Sequence, residues 1–125
     1  MADGGVTRAA SYLVDQMTKA AQATVPLGQV VVASNDIKSE GGHAVGHVLV
    51  MAMDETRSFD DSNFLAAAVA ARLEWLGWST VVKKEGAHRT VRAHHADHPG
   101  FGISVLCKAN NSMTQWNGHT PHFPG

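Results

Sequence analysis

The chain is short of the residues that mark several large classes of protein. It has one cysteine, Cys107, so no intrachain disulfide can form. A lone cysteine on a strand reads first as a small apolar side chain and only second as a nucleophile. Neither sign of charge dominates: ten basic and eleven acidic residues leave a formal charge of −1. Without a basic excess to displace counterions, no nucleic-acid partner is expected. No apolar run approaches the roughly 20 residues of a membrane span. The phosphate-cradling Gly-x-x-x-x-Gly-Lys-Ser/Thr loop and the Gly-x-Ser-x-Gly elbow are both missing.

What is there suits one domain. At 125 residues with 44% apolar side chains, the chain can bury a core without a structural metal. Residues 1–125 read as a single domain with a flexible lead-in at 1–6 and a polar tail at 110–125. Met1-Ala2-Asp3-Gly4-Gly5-Val6 has neither the basic nor the apolar region of an export leader. The expected location is the cytoplasm, or the cell envelope if a leader has been removed.

Two segments carry helical periodicity. Over 7–24, Ala10, Leu13, Met17, Ala20 and Ala21 share a face, and Pro26 and Gly28 end the helix. Over 62–76, Leu65, Ala68, Val69, Leu73 and Leu76 form the stripe, with Asp60 and Asp61 placed to cap the first turn and Gly77 the last. Asp54, Glu55, Arg57 and these two aspartates read as a solvated connection. Strands are expected at 29–34, ended by Asn35-Asp36, and at 43–53. A hairpin is expected at 80–84 and 88–94 about Glu85-Gly86-Ala87, then a strand at 101–108 and a short one at 113–116 before Asn117-Gly118. Lys83, Lys84, Arg89 and Arg92 give the hairpin an exposed charged face. The order α-β-β-α-β-β predicts an α+β two-layer sandwich, an antiparallel sheet of four to five strands with both helices on one face.

Eight histidines are the unusual chemistry. His43 and His47 are four apart, but Gly41-Gly42-His43-Ala44-Val45-Gly46-His47-Val48-Leu49-Val50 reads as strand. There, four residues separate two side chains by roughly 13 Å. Position 44 is Ala, so the His-Glu-x-x-His motif is absent. His94, His95, Asp97 and His98 fall in an expected loop, where imidazole and carboxylate can converge on zinc or another first-row metal. His119 and His122 lie in the expected tail. No cofactor is required by the sequence, and a metal at the loop cluster, joined by His43 or His47, is the alternative. Protonating all eight imidazoles would turn the charge of −1 into +7, so mild acid would reverse its sign.

Three tryptophans offer aromatic anchors for a ligand or partner: Trp75 and Trp78, which straddle the end of the second helix, and Trp116. Core closure by one ring of the first two leaves the other for solvent.

The run Ala70-Ala71-Arg72-Leu73-Glu74-Trp75-Leu76-Gly77-Trp78, a helix ending in Leu-Gly-Trp before a hairpin, resembles the mature domains of small actinobacterial cell-envelope lipoproteins. Gly118-His119-Thr120-Pro121-His122 is similar to their closing Gly-x-Thr-Pro-Cys segment except at its last position. The resemblance implies an envelope-associated binding or accessory domain, with no catalytic residues to carry over. The leading expectation is a non-enzymatic domain recognising a partner protein or small ligand through the sheet face or the edge near the second helix. A metal-binding protein or metal-dependent enzyme using the histidine loop is the alternative, and a structural subunit of a larger assembly, such as a virion ring, a third. The sequence leaves the oligomeric state open.

Overall fold

The computed structural model describes residues 2–25, 27–54, 62–108 and 113–124. In chain order these form α1 (Ala2–Thr24), β1 (Gln29–Glu40), β2 (His43–Met53), α2 (Ser62–Trp75), β3 (Ser79–Glu85), β4 (His88–His95), β5 (His98–Cys107), β6 (Met113–His119) and β7 (Phe123–Pro124). The sheet runs β1-β2-β6-β5-β4-β3, with β7 also beside β2, and every pairing is antiparallel. The α+β class and the two helices hold. The expected four to five strands become six in the main path plus the two-residue β7.

The core lies between the helices and one face of the sheet. Leu13 and Met17 of α1 and Leu65, Val69 and Leu73 of α2 pack with alternate residues of the strands: Val48, Val50, Ala52, Val91, Ala93, Ile103, Val105, Cys107 and Trp116. The side chains between them, such as Leu49, Met51, Ser104, Leu106, Gln115 and Asn117, are half-buried or exposed. They point to the opposite face because strand side chains alternate. Among the described residues that second face carries no helix.

Local chemistry explains the elements. The end of α2 is closed by two hydrogen bonds, Trp78 N to Leu73 O at 3.1 Å and Gly77 N to Glu74 O at 3.0 Å. Gly77 takes φ +95°, so this is the glycine-capped turn anticipated at that position. Gly41 and Gly42, at φ +57° and +83°, make the two-residue turn between β1 and β2. Asn35-Asp36 does not end β1. An irregularity between Val32 and Ser34 absorbs the misfit, and pairing continues to Glu40.

Several boundaries differ from expectation. The lead-in at 1–6 is helical from Ala2, because Val6, fully buried, extends the apolar stripe by one more turn. Of the expected polar tail at 110–125, the described residues 113–124 begin with β6, which lies between β2 and β5 in the middle of the sheet. Asn117-Gly118 belongs to that strand. A Cβ on Gly118 would come 2.5 Å from Met17 Sδ and 2.9 Å from Leu13 Cδ2, so the glycine is there to admit α1. The segment after β6 is anchored too: Gly46 N donates to Thr120 Oγ1 at 2.8 Å and Thr120 N donates to Gly46 O at 3.0 Å. Asp54, expected in a solvated stretch, is buried, whereas Glu55, Arg57 and the capping pair Asp60 and Asp61 lie outside the described residues.

Neighbouring substitutions in β6 should therefore behave oppositely. Gly118→Ala overpacks the core beneath α1 and should cost about 1–3 kcal/mol. Asn117→Ala, on the open face, should stay within about 0.5 kcal/mol. Urea unfolding of the two variants measures this; equal, near-zero effects would mean that this segment is not packed under α1.

Candidate functional site

The open face of the sheet holds a groove of about 390 Å³ built from four strands: His47 of β2, Arg92 and Ala93 of β4, Gly102, Ile103 and Ser104 of β5, and Asn117, Gly118 and His119 of β6. Register sets this arrangement. Ser104 is paired with Arg92 on one side and with Asn117 on the other. His119 is paired with Gly102 on one side and with His47 on the other. Gly102 and Ser104, both small, make a low floor along β5, and longer polar side chains on the flanking strands make the walls. The His119 ring leans over Gly102, where a Cβ would collide with its Nε2. Its Nδ1 lies 3.3 Å from Thr120 O, and since a carbonyl only accepts, Nδ1 carries the proton there. Among the described residues no carboxylate lines the groove. Asp36 of β1 is the register partner of His47 on its far side.

A second groove, of about 480 Å³, lies between the helices and is lined by Lys19, Ala20, Gln22, Ala23, Arg72, Trp75 and Leu76. It is mainly apolar. Of its two basic residues, Lys19 is bound to Asp15 at 3.0 Å. Trp75 stands beside it at 79% exposure, whereas Trp78 and Trp116 are buried. Trp78 closes the core edge and donates from Nε1 to Gln16 Oε1 at 3.1 Å, and Trp116 donates to Thr114 Oγ1 at 2.8 Å. Burial removes Trp78 and Trp116 from the surface, so neither can be a partner contact, and Trp75 alone of the three remains.

The histidines are distributed by strand geometry. The expected loop at 94–98 is a tight turn between β4 and β5, which sends His94 into solvent. His95 and His98 lie together, 4.8 Å between ring centroids. His95 packs edge-on against Trp78 at 5.4 Å, and the His98 ring lies tilted against Tyr12 at 4.8 Å. The Nδ1 of His95 accepts from Asp97 N at 3.2 Å, and its Nε2 faces Gly77. The ring therefore acts as packing at the end of α2. His43 and His47 are on one strand as expected, and neither adjoins the 94–98 turn because β6 and β5 intervene. Their neighbours are instead the histidines near the C-terminus: His47 opposite His119, and His43 with His122 at 6.1 Å. Among the described residues no three His, Cys, Asp or Glu side chains are grouped to hold a metal ion.

Three further groups are marked by their surroundings. Arg89, expected on an exposed face, is buried and donates to Asn63 Oδ1 and to the carbonyls of Gly86 and His88. The Cys107 thiol is fully buried, and burial pushes its pKa up from 9.0 to about 12, which makes it a poor nucleophile. Burial, with Asp15 and Asp97 nearby, also raises the Tyr12 phenol above its ordinary value.

The groove residues Gly102, Ser104 and Asn117 were not singled out by sequence, nor was Arg92 separated from the other hairpin charges. A signal was present: in β5 small residues alternate with apolar ones. Its meaning depended on which strands flank β5. No helix among the described residues is long and apolar enough to cross a membrane. No family model, curated protein or solved structure matches the chain.

Two outcomes follow from this placement. His95→Ala should cost about 1–2 kcal/mol in unfolding experiments through lost packing, and His94→Ala less than about 0.5 kcal/mol. A shared ion would instead make both losses equal and zinc-dependent. Cys107 should resist an aromatic disulfide reagent until the chain unfolds. Its raised pKa leaves its contribution intact below pH 9 and removes it as pH rises from 9 towards 12, because only the unfolded thiol ionises freely. That alkaline decline should be smaller in Cys107→Ala.

Proposed function

We propose that the chain is a non-enzymatic binding domain that takes a small ligand in the groove of its uncovered sheet face. The observation that carries this reading is the convergence of Arg92, Ser104, Asn117, His47 and His119, from four hydrogen-bonded strands, around the low floor of β5, where the missing side chain of Gly102 makes room for the His119 ring. Polar groups held on a rigid sheet are placed before a ligand arrives, so little ordering cost is added on binding. A volume near 390 Å³ is within the range of small-molecule sites. The resemblance to envelope lipoprotein domains supports the same reading and an envelope location. A partner protein docking against exposed Trp75 is the second reading, favoured by the apolar groove beside that ring.

A fragment library screened by two-dimensional amide NMR tests the proposal. Hits should move the amides of Gly102, Ser104, Asn117 and His119, and Gly102→Val, which drives the His119 ring from its place over the floor, should abolish those shifts while the chain stays folded. Hits confined to the surroundings of Trp75 would favour the partner reading. A library that leaves the open face unmoved would overturn the ligand reading.

A further inference from the structure

Resting on that reading, we infer that the groove selects a small hydroxylated organic anion, its anionic oxygens held by Arg92, Ser104 and Asn117 and a hydroxyl held by His119. Ser104 sits on β5 directly between Arg92 on β4 and Asn117 on β6. Adjacent strands are about 4.8 Å apart, so the two outer backbones stand roughly 10 Å apart, enough for a carboxylate or phosphate above the serine. Arg92 supplies a permanent positive charge and a planar fork suited to two anionic oxygens. Among the described residues it makes no ion pair, and no carboxylate lines the groove to compete for it. Asn117 and Ser104 add neutral donors from the opposite wall and the floor.

The hydroxyl requirement comes from His119, two residues along β6 from Asn117. Its Nδ1 proton is directed to Thr120 O, so the uncharged form of the ring presents Nε2 as an acceptor beside Gly102. An accepting nitrogen beside an anion site is satisfied by a ligand that donates there. A hydroxyl on the carbon skeleton next to the acid group does so, and a bare acid does not. A bound ligand that displaces water from Nε2 without donating to it leaves that acceptor unmatched, so the site should discriminate between a hydroxy acid and its deoxy analogue. Carboxylates and phosphate esters of polyols share this chemistry.

Amide NMR titrations of the intact chain with citrate, tricarballylate (citrate without its hydroxyl), glycerol phosphate and glucose test the inference. Citrate or glycerol phosphate should move the amides of Gly102, Ser104, Asn117 and His119, and whichever binds more tightly identifies the carboxylate or phosphate source. Arg92→Gln should weaken that binding about tenfold or more, and Arg92→Lys should recover only part, because the fork is lost. Tricarballylate should bind several-fold less tightly than citrate, and His119→Phe should remove that difference. If glucose shifts the same amides as strongly as the anions, or Arg92→Gln leaves the affinity unchanged, the anion assignment falls while the ligand-binding groove stands. If none of the four probes moves these amides, the assignment also falls, and the fragment screen then decides the fate of the groove itself.

Discussion

The hydrogen-bonded seam between β2 and β6 is the constraint on which the rest of the structure depends. The first half of the chain supplies α1 and the β1-β2 hairpin, and the second supplies α2 and the meander β3-β4-β5-β6. In the sheet these halves meet only along seven paired positions, from His47–His119 to Met53–Met113, together with the two pairs made by β7. Trp116, fully buried at the middle of that seam, fills the space beneath the helices, and Gly118 lets α1 settle over it. Thr120 then ties the chain back to Gly46 on β2. The groove depends on the same seam, because it brings His47 and His119 side by side, while the β5–β6 pairing sets Asn117 opposite Ser104.

Much of the fold was readable from local signals. The stripe through Leu13 and Met17, the stripe through Leu65, Val69 and Leu73, and the glycine that ends α2 are short-range features whose periodicity or backbone demand shows in sequence. Glycine was also where reading failed. At 41, 42 and 77 it marks positive φ, which a turn requires; at 118 it marks an approaching helix, which nothing nearby in sequence announces. The same letters, Asn-Gly, are a turn signal in one setting and a packed strand in another. Likewise the lead-in at 1–6 was judged by its glycines, although buried Val6 continued the helical stripe.

The candidate site was less legible because its members are strangers in sequence. His47 and His119 are paired across strands but lie in opposite halves of the chain, and Arg92 resembled three other basic residues of its hairpin until register separated them. The 94–98 cluster misled for the complementary reason. Residues adjacent in sequence on a strand face opposite ways, so density of histidines along the chain did not become density in space. His95 and His98 became part of an aromatic stack with Trp78 and Tyr12 instead.

The position of β6 also bears on how a newly made molecule is assembled. This strand emerges from the ribosome after both of its neighbours, so β2 waits as an unpaired inner edge throughout synthesis of β3, β4 and β5. Such edges are templates for any other extended segment, including one from another nascent copy. The pairings that close the sheet are distant in sequence and therefore slow to form. Emergence of β6, rather than formation of either helix, sets the moment at which the molecule becomes safe from its own half-built sheet.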